Sequence, residues 1–134
     1  MDIKSKKAIV FGGTSGIGLA TCIELQARGA NVVSVSRNPT KAGNSIDGIC
    51  LAAVDARDSN AVSAFFETQG KIDILISSAT GGSRAFGPFL EMDIDGFKGS
   101  FDKLWGYSNV VRYGAPKLSD HGTIVLVSGT PARK

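Results

Sequence analysis

The segment Ala8-Ile9-Val10-Phe11-Gly12-Gly13-Thr14-Ser15-Gly16-Ile17-Gly18 constrains the fold more than any other, because four of the seven residues from Gly12 to Gly18 are glycine and they directly follow an apolar run. Lys7 to Phe11 is a short β-branched stretch that reads as a buried strand. Residues 16–28 place Ile17, Ala20, Thr21, Leu25 and Ala27 at helical spacing, and Gly29 closes them as a helix stop. A glycine turn between strand and helix permits a tight reversal, close helix–strand packing and close backbone approach to an anion held at the positive helix N-terminus. The loop carries no lysine, which excludes the G-x4-G-K-[ST] phosphate loop. What remains is G-x3-G-x-G on Gly12, Gly16 and Gly18, a turn suited to a dinucleotide's diphosphate.

The rest of the chain supplies the context such a turn needs. Strands are expected at Asn31 to Ser36, Ile49 to Val54, Ile72 to Ser77 and Thr123 to Ser128. Helical faces run through Ser59 to Thr68 and through Ile94 to about Gly114, the latter on Phe97, Phe101, Leu104, Trp105, Ser108 and Val111, with Pro116 closing it. Gly81 to Pro88 reads as loop. Short apolar strands alternating with helices imply right-handed crossovers and a parallel sheet covered on both faces. At 134 residues, 43% hydrophobic and 20% charged, the chain fits one domain, residues 1–134, with no internal repeat or linker.

Charge and cysteine content narrow the partners. Fifteen Lys and Arg against twelve Asp and Glu leave +3, too small an excess to imply nucleic acid without a clustered patch. Lys4, Lys6 and Lys7 form a solvated N-terminus. Cys22 and Cys50 are far apart and lack CxxC spacing, so reduced core thiols are expected and no metal site is. No stretch approaches the ~18 apolar residues of a membrane span, and no signal peptide is evident, so a cytoplasmic protein without membrane contact is expected.

The glycine loop, Asp55 at the third strand end, LISSATG around the fourth strand and TIVLVSG in the fifth together resemble the short-chain dehydrogenase/reductase family, in order and spacing. The family pattern has Thr at Phe11 and Asn-Asn-Ala-Gly at Ser77-Ser78-Ala79-Thr80, so this chain is a divergent member. The resemblance implies a three-layer Rossmann α/β fold with parallel strand order 3-2-1-4-5, covering the N-terminal half or so of a usual member and truncated after the fifth strand. It also implies an NAD(P)-dependent oxidoreductase of carbonyl or alcohol substrates. Gly12, Thr14, Ser15, Gly16, Ile17 and Gly18 would hold the diphosphate; Asp55 and Ala56 would flank the adenine; Ser78, Ala79 and Thr80 would line the nicotinamide-side ribose. For Asp55, a strand-end helix cap stays open as an alternative. NAD-preferring sites put an acid about 20 residues beyond the glycine loop. Here Ser36-Arg37-Asn38 stands there, and Arg37 can clamp a 2′-phosphate with paired N–H donors, which favours NADP(H). The other reading of Arg37 is a solvated turn residue.

Family chemistry uses a tyrosine with a lysine one helical turn on, both expected on the helix after the fifth strand, and a serine at the end of that strand. Only residues 129–134 follow Ser128. Gly129 falls where the family places its catalytic serine, and Lys103 where it places a water-holding asparagine. Ser128, Thr130 and Lys103 are therefore weak catalytic candidates. Tyr113 and Lys117 have the Y-x3-K spacing, but Pro116 prevents a shared helix face. His121 is expected in a solvent-exposed turn, and Asp93, Asp95 and Asp102 on helix starts and solvent faces. The 134-residue chain is thus expected to bind coenzyme and to be inactive alone; the alternative is a non-catalytic NADP-binding sensor or interaction module. An apolar fifth strand at a sheet edge and the helix over residues 94–114 predict a homo-oligomer.

Overall fold

In a computed structural model of the chain, which describes residues 2–40, 47–80 and 85–129, five parallel strands form one sheet in the order β3-β2-β1-β4-β5. The strands are β1 (Lys7–Phe11), β2 (Asn31–Ser36), β3 (Cys50–Ala53), β4 (Ile72–Ser77) and β5 (Leu118–Leu126). The helices are α1 (Gly16–Ala27), α2 (Ser59–Glu67), α3 (Ile94–Gly99) and α4 (Asp102–Gly114). Thr130 and the first half of the loop expected at 81–88 lie outside the described residues.

Alternation along the central strand sorts the core into two faces. Ile9 and Phe11 join Val35, Val62, Phe66, Leu75 and Val110 in one cluster beneath α2 and α4, whereas Ala8 and Val10 join Cys22, Ala30 and Val32 beneath α1. Both faces of β1 are covered, as its unbroken apolar sequence requires. On the first face Phe11, Phe65 and Phe66 pack as an aromatic trio with centroids 5.3–5.8 Å apart.

Two elements differ from the periodicity. The helix expected over residues 94–114 is divided at Ser100–Phe101. The Ser100 hydroxyl donates back to the Gly96 carbonyl at 3.1 Å, and the Phe101 N–H bonds Lys98 O at 3.0 Å, so the last turn of α3 tightens and stops. The apolar spacing runs on across the break, and for that reason the pattern reads as one helix. Phe97 is half-buried between the rings of Phe89 and Phe101.

The fifth strand also begins earlier than Thr123 and ends at Leu126, short of Ser128. Leu118 pairs with Ile72, and the next matched pair is Thr123 with Ile74, so residues 119–122 bulge out of the ladder. Asp73 ties this irregular start down, accepting from the Lys7 N–H at 2.9 Å and from the Ser119 hydroxyl at 2.7 Å. The carboxylate thereby joins the beginnings of three neighbouring strands.

Candidate nucleotide site

The carboxyl ends of the strands open on one cleft of about 210 Å³. It lies where the chain's crossovers change direction between β1 and β4, the place where doubly wound sheets take their ligands. The glycines of the turn, of which Gly12 lines the cleft and Gly16 and Gly18 do not, have two distinct roles. A Cβ on Gly12 would stand 2.7 Å from Ala79 N, and one on Gly18 would stand 2.6 Å from both Gly12 C and Ser78 Oγ. Both positions are closed by packing of the turn against the end of β4. Gly16 differs in its surroundings: Gly12, at φ +79°, and Gly16, at φ +51°, both lie in the region that favours glycine, but a Cβ on Gly16 would meet nothing within 4 Å.

That open space sits over the start of α1, which lacks a side-chain cap. Ser15 occupies the N-cap position without a side-chain hydrogen bond, and no acid stands in the first turn. By contrast Asp58 caps α2 by accepting from Asn60 N and Ala61 N, and Asp93 caps α3 through Gly96 N. Helix N–H groups that Ser15 does not cap, beside a glycine that leaves room, suit a diphosphate, so the residues present fit a dinucleotide.

The cleft walls bring together most of the residues singled out in the sequence. Gly12, Thr14 and Ser15 line the floor, Ser36, Arg37 and Asn38 one wall, Asp55 and Ala56 the far end, and Ala79 and Thr80 the side next to β4. Ser36 Oγ is buried without a hydrogen-bond partner among the described residues. Ser78 does not line the cleft; its hydroxyl donates to Phe11 O at 3.2 Å, behind the glycine turn. Ile17 is 64% exposed and faces a groove with Ile3 on the outer side of α1.

Asp55 does not cap α2, since Asp58 does. Its partner is Arg57, whose hydrogen bonds chiefly hold the Asp55 carboxyl below the usual carboxylate range, burial opposing and the Arg57 and Arg37 charges assisting. The Arg57 guanidinium is in turn pushed further towards its charged form by Asp55 and Asp102. Sequence reading missed Arg57, Asp102 and Gly106, all of which line the cleft. An acid and a base two residues apart after a strand were the one local signal.

The catalytic candidates lie at the neighbouring end of β5. Lys103 Nζ stands 5.4 Å from the Tyr107 ring centroid, and the Tyr107 hydroxyl donates to Val127 O, one residue before the exposed Ser128. Burial raises the Tyr107 hydroxyl's pKa. Tyr113 packs against the core and Lys117 ends a separate 3-10 turn, Ala115–Lys117, while His121 is exposed on β5. Among the described residues no group of three or more His, Cys, Asp or Glu side chains is placed to hold a metal ion, and no helix is long and apolar enough to cross a membrane.

The sequence profile of the short chain dehydrogenases matches residues 6–134. L-xylulose reductase of Mesocricetus auratus is 29% identical over 141 residues, covering 100% of this chain and 57% of that protein. The Homo sapiens L-xylulose reductase is 31% identical over 133 residues, covering 94% of this chain and 54% of the relative. Among solved structures, a small-chain dehydrogenase in complex with NADPH superposes with a TM-score of 0.78 at 31% identity, over 94% of this chain and 52% of that one. A short-chain type dehydrogenase/reductase from Mycobacterium ulcerans gives 0.85 at 23% identity, over 96% and 52%, a likeness of fold. The chain spans about half the length of these curated relatives.

Proposed function

The chain belongs to the short-chain dehydrogenase family, and from that premise we propose that it binds NADP(H) in the cleft at the carboxyl ends of β1 to β4, as the coenzyme-binding portion of an oxidoreductase acting on a carbonyl or alcohol. The observation that carries the reading is the pairing of an uncapped α1 N-terminus with Arg37 on the opposite wall. Backbone N–H groups at Gly16 to Gly18 would take the diphosphate, and Arg37, which makes no hydrogen bond or ion pair with a described residue, would take the 2′-phosphate. The absence of an acid at this strand end removes the group that would repel it. The relative solved with NADPH, at 31% identity, supports the same choice.

When bound, the nicotinamide supplies the hydride; the protein's part is to orient it and manage a proton. Here the groups present favour binding over turnover. Tyr107 has its hydroxyl committed to Val127 O and its pKa raised by burial, so it is a poor proton exchanger near neutral pH. Gly129 offers no hydroxyl. The 134-residue chain is therefore read as binding coenzyme without transferring hydride by itself.

Titration of the purified chain with NADPH and NADH, on the wild type and Arg37→Ala, tests the proposal. We expect tighter binding of NADPH, a loss of about tenfold for NADPH in the variant, and little change for NADH. Equal affinities throughout, or sustained NADPH oxidation with a carbonyl substrate, would overturn the coenzyme preference or the inactivity respectively. We further propose that the chain self-associates through β5 or the α3–α4 segment, where Phe101, Leu104, Trp105, Val125 and Leu126 are between 42% and 62% exposed.

A further inference from the structure

Gly13 has no part in the reading above. It does not line the cleft, and its φ lies outside the left-handed region, so neither ligand approach nor backbone conformation requires a glycine there. The requirement comes from below. A Cβ on Gly13 would collide with Ser34 Oγ and stand 2.9 Å from Cys22 Sγ and 3.0 Å from Val10 O. Ser34 belongs to β2 and Cys22 to α1, and both are buried. The turn is fastened to the same stretch of β2, since the N–H groups of Gly12 and Gly13 both donate to Val35 O, at 2.8 and 3.4 Å.

Ser34 also interrupts a run of valines. Val32, Val33 and Val35 surround it in β2, and Ser34 is buried among them although its hydroxyl adds nothing to an apolar core. Its small size is what the position uses, because the second γ branch of a valine would press on Gly13. After Gly13 come Thr14 and Ser15, which line the cleft, and then the uncapped start of α1. The height of Gly13 above Ser34 and Cys22 therefore carries over to the N–H groups from Gly16 onward. Non-bonded atoms rest about 3.5–4.0 Å apart, so a methyl 2.9 Å from Cys22 Sγ must rise by about half an ångström or more. That displacement is about the tolerance of a working binding constellation.

Resting on the nucleotide reading above, we propose that Ser34 and Cys22 are positioning residues for the dinucleotide: their small side chains form the seat of Gly13 and so aim the α1 N-terminus at the diphosphate. Neither touches the ligand. The grip on the diphosphate and the grip on the 2′-phosphate are then separable, because Arg37 follows β2 on the opposite wall whereas Gly13 underlies the turn alone. The attraction of a helix N-terminus for an anion fades within its first turn. A raised turn thus loses the diphosphate and keeps the 2′-phosphate.

The test titrates the full chain with NADPH and with 2′-AMP, which carries the adenosine and the 2′-phosphate but no diphosphate. Gly13→Ala and Ser34→Val are each expected to lose about tenfold in NADPH affinity while 2′-AMP affinity stays within about twofold of the wild type. Adding Ser34→Ala to Gly13→Ala removes the colliding oxygen, and NADPH affinity recovers by about threefold or more. The recovery is partial because the Val10 carbonyl, which is backbone, stays 3.0 Å from the new methyl. Should Ser34→Val fail to fold, Cys22→Val applies the same push from α1. A role in stability alone lowers the melting temperature of the single variants and leaves the ratio of the two affinities unmoved. An unmoved ratio in the single variants, or a double variant that binds NADPH no better than Gly13→Ala, overturns the inference. A wild type that binds neither ligand overturns the nucleotide reading instead.

Discussion

Replacing Gly18 and Gly16 by alanine, one at a time, separates a glycine that packs from a glycine that leaves room. At Gly18 the new methyl would lie 2.6 Å from both Gly12 C and Ser78 Oγ. One of these is backbone and cannot rotate aside, so α1 must shift, at a cost near the upper end of the ~1–3 kcal/mol of overpacking. Alanine recovers about 1 kcal/mol in helix propensity, which leaves a net loss of about 2 kcal/mol. Unfolding entropy of about 2.1 cal/mol/K per residue gives roughly 0.28 kcal/mol/K for this chain, so the melting temperature drops by about 7 °C. At Gly16 no atom is met, and the cost is the ~1 kcal/mol of an alanine at φ +51°, about 4 °C. Binding reverses the order. The Gly16 methyl projects where the diphosphate is proposed to lie, so NADPH affinity measured at 15 °C falls at least tenfold, more than in Gly18→Ala. Thermal melts and fluorescence titrations on the three proteins suffice. An unchanged melting temperature for Gly18→Ala, or wild-type NADPH affinity in Gly16→Ala, refutes the division of roles.

Two other outcomes follow from described contacts. The Lys7 N–H, first, and the Ser119 hydroxyl hold the Asp73 pKa below its ordinary value; a depressed folded pKa gives stability that is present above the unfolded value of about 3.9 and lost as pH falls through the folded one. The melting temperature of the wild type should decline on acidification below about pH 4 more steeply than that of Asp73→Asn, and parallel acid limbs would contradict the bonds. For self-association, sedimentation at high micromolar concentration should show a species larger than the monomer in the wild type and less of it in Trp105→Lys, whose native side chain is 62% exposed; a clean wild-type monomer counts against the proposed contact.

The strand pattern was legible because burial on both faces leaves no alternative sequence for it. Lys7–Phe11, Asn31–Ser36 and Ile72–Ser77 have the boundaries that their β-branched runs imply. Strand order followed from the family resemblance. What escaped were features decided by contacts distant in sequence or by local bonding that does not alter periodicity. Ser100 ends α3 with its own hydroxyl, yet Phe97, Phe101 and Leu104 keep helical spacing across it. Leu118 enters β5 only because β4 and Asp73 receive it. The glycine turn was legible as a turn, but the sequence treats its glycines alike; only the approach of Ser78 and Ala79 divides Gly12 and Gly18 from Gly16. Arg57 was invisible for the same reason, its second partner Asp102 being 45 residues away.

The seating of α4 on Ala56 has a bearing on attempts to exchange coenzyme specificity between relatives. The loop after β3 and the helix share a surface on which a Cβ at Gly106 would already touch the Ala56 Cβ at 3.4 Å, and Asn109 and Asp102 answer to backbone and side chains of that loop. A graft confined to the first three strands would carry over half of a matched pair, leaving a foreign loop beneath a native helix. Transplants that move positions 102, 106 and 109 together with 55–57 preserve the fit, and shuffled libraries should be cut accordingly.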